Sequence, residues 1–224
     1  MKNDWLALPG IPAGPAVWER LPVRTVQFEG VQDGAHREDW SLNSFVDEVI
    51  HEYNETTILV GHDLGGVVAS MAAVRKPPRA VVLSGTALGS WWFWTRLSAK
   101  PMLNRFFYHT FKGTLFVRLG GGESTLERFS KPAGVQHDPD RMRVLAKHMK
   151  PPRGLHKELA AVCPVFLMWG KREVFYPGFV AKSLSQSMNA PLFWNEGGHY
   201  CMWTHPHQFL ETMKHIESVL PIKM

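Results

Sequence analysis

Six short apolar runs recur along the chain: Trp5-Leu6-Ala7-Leu8, Thr25-Val26-Gln27-Phe28, Thr57-Ile58-Leu59-Val60, Ala80-Val81-Val82-Leu83, Val165-Phe166-Leu167-Met168-Trp169 and Pro191-Leu192-Phe193-Trp194. Their apolar positions are mostly consecutive rather than alternate, as in strands covered on both faces. Between them the apolar residues return at helical spacing. The stretch Ser41 to His51 opens on a serine able to cap a helix, and places Leu42, Phe45, Val46, Val49 and Ile50 on one stripe. Val67 to Val74, Phe179 to Met188 and His207 to Leu220 repeat that pattern. Alternation of this kind predicts an α/β fold, with a mostly parallel sheet flanked by helices.

One stretch breaks the rhythm. Between residues 90 and 161 no strand pattern appears, only aromatic and basic helical pieces split by Pro101, Gly120-Gly121-Gly122, Pro132 and Pro151-Pro152. A compact domain seldom carries so long a structureless loop, so the segment reads as an inserted helical cap. The expected organisation is a core of residues 1–89 and 162–224 with a cap of residues 90–161.

With 224 residues, 45% of them hydrophobic and 20% charged, the chain has the make-up of one globular domain. No apolar run approaches the roughly 18 residues that span a bilayer, and the N-terminus lacks the layout of a secretion signal. The expectation is a cytoplasmic protein without a membrane partner. Cys163 and Cys201, the only cysteines, make neither a disulfide framework nor a metal motif, and both read as free thiols. Charge is unevenly placed: Arg96 to Lys157 holds thirteen basic residues against four acidic, while the remainder is net acidic. No stacking platform or nucleic-acid motif accompanies this segment. It reads as a solvated helical surface, or as one that attracts an anionic substrate.

The strongest chemical signal is Val60-Gly61-His62-Asp63-Leu64-Gly65-Gly66, set directly after a strand and before a helix. That is the context of a nucleophile elbow, whose tight turn forces strain on its central residue and demands small neighbours. Asp63 takes the nucleophile position, above a helix N-terminus that favours an ionised carboxylate. A carboxylate nucleophile needs a base to activate water and an acid to orient the base, in that spatial relation and in the chain order nucleophile, acid, histidine. Glu173 follows the strand ending Trp169-Gly170, and His199 follows the last strand in Asn195-Glu196-Gly197-Gly198-His199-Tyr200. Glu196 is the rival acid but sits better in a solvated turn. His62 reads as structural, and His205, His207 and His215 as surface groups of the final helix. After the fourth strand, Ser84-Gly85-Thr86 offers no acid. The loop Leu8-Pro9-Gly10-Ile11-Pro12 suits an oxyanion site, where the backbone N–H groups of Ile11 and Leu64 would converge on one oxygen.

These segments together resemble the epoxide hydrolase and haloalkane dehalogenase branch of the α/β-hydrolase superfamily over nearly the whole chain. Pro9-Gly10-Ile11-Pro12 with Trp18 is similar to that branch's His-Gly-x-Pro loop and following tryptophan. Gly61-His62-Asp63-Leu64-Gly65-Gly66 resembles its elbow, Trp169-Gly170-Lys171-Arg172-Glu173 its acid loop and Gly198-His199 its histidine. The resemblance implies that Asp63 attacks a substrate carbon to form an ester, which water activated by His199 then hydrolyses. There are departures. Pro9 replaces a histidine, Leu64 replaces the tryptophan that donates to halide, and the acid is Glu rather than Asp. Tyr108 is the only tyrosine of the cap, so Tyr176 or Tyr200 would have to meet an epoxide oxygen. The sheet is expected to be smaller than that branch's, without its leading hairpin.

The cap opens with Trp91-Trp92-Phe93-Trp94, either cap packing or the wall of an apolar pocket. Trp91, Trp92, Trp94, Tyr108 and Tyr200 are the candidate substrate contacts. The favoured function is a hydrolase acting through an alkyl-aspartyl ester on an epoxide, or on an activated carbon–halogen bond, of a small anionic or aromatic substrate. Three alternatives stand beside it. Asp63 serves as a proton carrier in a lyase, cyclase or cofactor-free oxygenase; the chain is an esterase or lactonase; or it is a non-catalytic binding protein. No cofactor, metal or nucleic-acid partner is implied, and the oligomeric state is not legible.

Overall fold

The computed structural model describes residues 4–10, 14–28, 41–88 and 150–221. Elements are numbered over those residues. β1 is Trp5–Leu8, β2 Arg24–Thr25, α1 Leu42–Val49, β3 Ile58–His62, α2 Leu64–Arg75 and β4 Ala80–Ser84. They are followed by α3 Leu155–Val162, β5 Val165–Gly170, α4 Gly178–Met188, β6 Leu192–Asn195, α5 Cys201–Thr204 and α6 Pro206–Val219. A 3-10 turn spans Pro15–Trp18.

The six strands form one sheet in the order β2-β1-β3-β4-β5-β6 with every neighbouring pair parallel. Alternate side chains of β1 and of β3 to β6 enter different cores. Leu6, Leu8, Leu59, Val81, Leu83 and Leu167 pack with α1 to α4 on one face. Trp5, Ala7, Ile58, Val60, Val82 and Met168 pack with Trp18, α5 and α6 on the other. Two apolar layers explain why the strands read as unbroken hydrophobic runs.

Ser41 caps α1 in a reciprocal arrangement with Ser44: the Ser44 N–H donates to Ser41 Oγ at 3.1 Å, and the Ser41 N–H to Ser44 Oγ at 3.2 Å. Two elements differ from expectation. Ladder pairing of β2 covers only Arg24 and Thr25, not Thr25 to Phe28. Val26 adds one bond to Ala7, and Phe28 then leaves the sheet to pack against Phe45, ring centroids 5.0 Å apart. Helix α2 starts at Leu64 rather than Val67, because its first turn is glycine and shows no hydrophobic spacing. Of the segment 90–161 only residues 150–161 are described, and within it α3 packs against α2 and α4. The order of strands reverses between β1 and β3, the position where open parallel sheets place their sites.

Candidate active site

Strand β3 passes to helix α2 through the single residue Asp63, at φ 51° and ψ −117°. A residue with a Cβ holds such a conformation only when its surroundings impose it. The imposing contact is close backbone approach. A Cβ on Gly61 would lie 2.5 Å from the Gly65 carbonyl oxygen, and one on Gly65 would lie 2.2 Å from that of Leu8. The turn is further tied by the Asp63 N–H to the Ser84 carbonyl at 3.2 Å, and by the Thr86 hydroxyl to the Asp63 carbonyl at 3.2 Å. Asp63 occupies the N-cap position of α2, yet its side chain makes no capping bond. Its Oδ1 instead accepts a 2.7 Å hydrogen bond from the Tyr176 hydroxyl. Its Oδ2 would be 3.0 Å from a Cβ on Gly10, so the loop after β1 reaches the same carboxylate.

The other half of the site hangs from β5 and β6. His199 Nδ1 and Glu173 Oε2 are 2.7 Å apart, with both side chains buried. The opposite oxygen of Glu173 accepts the backbone N–H groups of Phe175 at 2.7 Å and Tyr176 at 3.2 Å. Burial alone would lower the His199 pKa, but the charge and hydrogen bond of Glu173, with the charge of Asp63, outweigh it and raise it above 6.5. Gly85, at φ 53°, lies over this pair: a Cβ there would be 3.0 Å from His199 Nδ1 and 3.1 Å from Glu173 Oε2. Burial, then the Asp63 charge, raises the Tyr176 hydroxyl well above the usual tyrosine range.

Beneath them His62 is fully buried with its ring 4.3 Å from that of His199. Its Nε2 lies 3.0 Å from the His199 carbonyl oxygen, which assigns the proton to Nε2. Burial and the neighbouring His199 hold it neutral, well below 6.5.

A family model described as the alpha/beta hydrolase family matches residues 5–212. The chain belongs to the alpha/beta hydrolase family. Solved structures of the same fold include a thermophilic esterase from Thermogutta terrifontis, at 14% identity and TM-score 0.76 over 97% of this chain and 90% of that one. A bromoperoxidase from Bacillus anthracis matches at 14% identity and TM-score 0.73, over 97% and 92%. A carboxylesterase structure from the thaumarchaeon Nitrososphaera gargenis matches at 13% and 0.73, over 98% and 91%. Such identities speak for the fold alone. No curated protein matches the chain.

In this alpha/beta hydrolase, then, Asp63, Glu173 and His199 all stand at the carboxyl edge of the sheet. Leu64 begins α2, where the first backbone N–H groups have no acceptor within the helix. Tyr200 is buried with its ring 5.0 Å from His199. Burial, then the charges of Asp63 and Glu173, pushes its hydroxyl pKa up. Ile11, Trp91, Trp92, Trp94 and Tyr108 lie outside the described residues, as does most of the basic segment. Glu196 is exposed and pairs with Lys171, away from the buried pair. His207 and His215 are exposed and His205 is half-buried. Cys163 and Cys201 are not joined in a disulfide, and burial pushes the Cys201 thiol up to about 12.

Tyr176, one of the two tyrosines the sequence offers as donors, has its hydroxyl on Asp63. Gly85 and Thr86 gave no signal beyond lacking an acid, yet one makes room for the His199–Glu173 pair and the other braces the elbow. A place three residues past the acid is the sequence clue to Tyr176. Among the described residues no helix is long and apolar enough to cross a membrane, and no cluster of three metal-ligating side chains occurs.

Proposed function

We propose that this chain is a hydrolase working through an ester on Asp63, with an epoxide as its preferred substrate and an activated carbon–halogen bond as the second class. The observation that carries the reading is the carboxylate of Asp63. It sits on a strained elbow, makes no capping bond, and shares its sheet edge with the buried His199–Glu173 pair. A backbone held at φ 51° against its preference is well suited to presenting a reacting group.

In the first step an Asp63 oxygen attacks a substrate carbon and the carbon–oxygen bond of the epoxide breaks, leaving a hydroxyalkyl ester once the new alkoxide takes a proton from solvent. In the second, neutral His199 takes a proton from water, which attacks the Asp63 carboxyl carbon. The N–H of Leu64, with that of Ile11, would stabilise the resulting oxyanion. Collapse releases the diol as the His199 proton passes to the departing oxygen, and the Asp63 carboxylic acid that remains returns its proton to solvent, which regenerates the carboxylate. Glu173 keeps the His199 Nδ1–H oriented and stabilises the imidazolium formed in passing. The walls around this edge are proposed to come from Trp91, Trp92, Trp94 and Tyr108.

A single turnover in oxygen-18 water tests this. The account expects the label in the Asp63 carboxylate and none in the first product molecule. Label in the first product with an unlabelled Asp63 overturns it. That result would favour the second reading, ester or lactone hydrolysis by direct attack of water, to which the esterase descriptions of the structural relatives lend support.

A further inference from the structure

The acid of this site is bonded to more than its histidine. Glu173 Oε2 meets His199 Nδ1 at 2.7 Å, while Glu173 Oε1 accepts the N–H groups of Phe175 at 2.7 Å and Tyr176 at 3.2 Å. The carboxylate is therefore the centre about which the loop after β5 folds. Tyr176 then points its hydroxyl 2.7 Å from Asp63 Oδ1, and its carbonyl is held by the indole N–H of Trp169 at 2.7 Å. Phe175 is buried by the same turn and sets its ring edge-on to His199, centroids 4.9 Å apart. One carboxylate thus touches both the base and the segment that reaches the nucleophile position.

We propose that Glu173, besides orienting His199, is a positioning residue for the other half of the site: its second oxygen fixes the loop that sets Tyr176 against Asp63. The consequence for catalysis rests on reading Asp63 as the reacting carboxylate; the clamp itself does not. Side-chain length gives a physical reason for a glutamate here. An aspartate would withdraw the carboxylate by one carbon–carbon bond, about 1.5 Å. It could not then keep the bonds to His199 and to two loop amides without moving the loop. The two roles are separable by chemistry. A glutamine keeps a carbonyl oxygen to accept the loop amides but presents an amide NH₂ to His199 Nδ1–H. A leucine fills similar space and accepts from neither.

The test uses the substrate-free full chain with 3-fluorotyrosine at its four tyrosines, Tyr53, Tyr108, Tyr176 and Tyr200. Tyr176→Phe assigns the Tyr176 fluorine resonance, and the downfield Nδ1 proton reports the His199–Glu173 bond. In the wild type, the Tyr176 resonance should hold its shift through the pH range in which free 3-fluorotyrosine, a stronger acid than tyrosine, ionises. Glu173→Gln should keep that behaviour and lose the downfield proton. Glu173→Leu should lose both, with Tyr176 titrating near its ordinary midpoint. A Tyr176 resonance in Glu173→Leu that matches the wild type overturns the proposal. So does a Glu173→Gln protein that releases Tyr176 as fully as leucine. Should Glu173→Leu not fold, Glu173→Asp takes its place. Release of Tyr176 supports the clamp, and a Tyr176 resonance that matches the wild type overturns it. These spectra need no ester intermediate, so the clamp and the oxygen-18 result can fail independently.

Discussion

The two halves of the candidate site are held by different forces. Asp63 is fixed by backbone sterics: β1, β3 and α2 come so close that Gly61 and Gly65 leave no space for a side chain. His199 is fixed by hydrogen bonds, through Glu173 on one ring nitrogen and the His62 bond to its own carbonyl. The first kind of restraint is part of the core and is insensitive to pH. The second depends on protonation and on single polar atoms. Damage to the first should therefore appear as lost stability, and damage to the second as lost activity in a folded protein.

The largest expected effect is on the steric side. Gly65→Ala drives a methyl into the Leu8 and Pro9 backbone, and should cost about 3 kcal/mol in urea unfolding. A loss under about 1 kcal/mol would mean the elbow is looser than its geometry indicates. Gly85→Ala probes the hydrogen-bonded side. It crowds His199 and Glu173 and puts a Cβ at φ 53°, so turnover should fall on the order of 100-fold while stability drops only about 1–2 kcal/mol.

Titration sharpens the contrast further. The folded pKa of His199 is raised, so its stabilising contribution is full below 6.5 and is lost as pH climbs through the folded value. His62 is depressed, so its contribution is present above 6.5 and is lost as pH falls from there toward the folded value. Urea unfolding should therefore weaken on both sides, and His62→Gln should flatten the acid-side decline. Since the base must be neutral, the rising limb of kcat/KM should lie above pH 6.5; a limb below it would contradict the pairing with Glu173. The smallest effect is a gain. Asp63→Gly relieves the φ 51° strain and should stabilise the protein by about 1 kcal/mol while abolishing turnover.

What the sequence revealed follows the same division. Strands buried on two faces, and a glycine-flanked turn between strand and helix, leave local signatures, so the sheet, the elbow and Asp63 were legible. The order acid then histidine, each after a strand, likewise pointed to Glu173 and His199. Restraints made by long-range hydrogen bonds leave no such trace. Nothing in Thr86 announces that its hydroxyl meets the Asp63 carbonyl, and nothing in Tyr176 announces a partner 113 residues away. The edge strand β2 misled, because its apolar Phe28 serves the helix layer rather than the ladder, and the glycine-rich first turn of α2 hid its start.

The most direct measurement of the central claim is intact mass spectrometry of His199→Ala after incubation with a panel of aryl and alkyl epoxides, haloacids and lactones. Without its base the protein should form the Asp63 ester and fail to hydrolyse it. An epoxide should give an adduct equal to its whole mass, a haloacid one lighter by the hydrogen halide lost, each mapping to the Asp63 peptide and absent when Asp63 is also changed to Asn. An unmodified His199→Ala protein, with a panel member that the wild type turns over, would contradict Asp63 as a nucleophile.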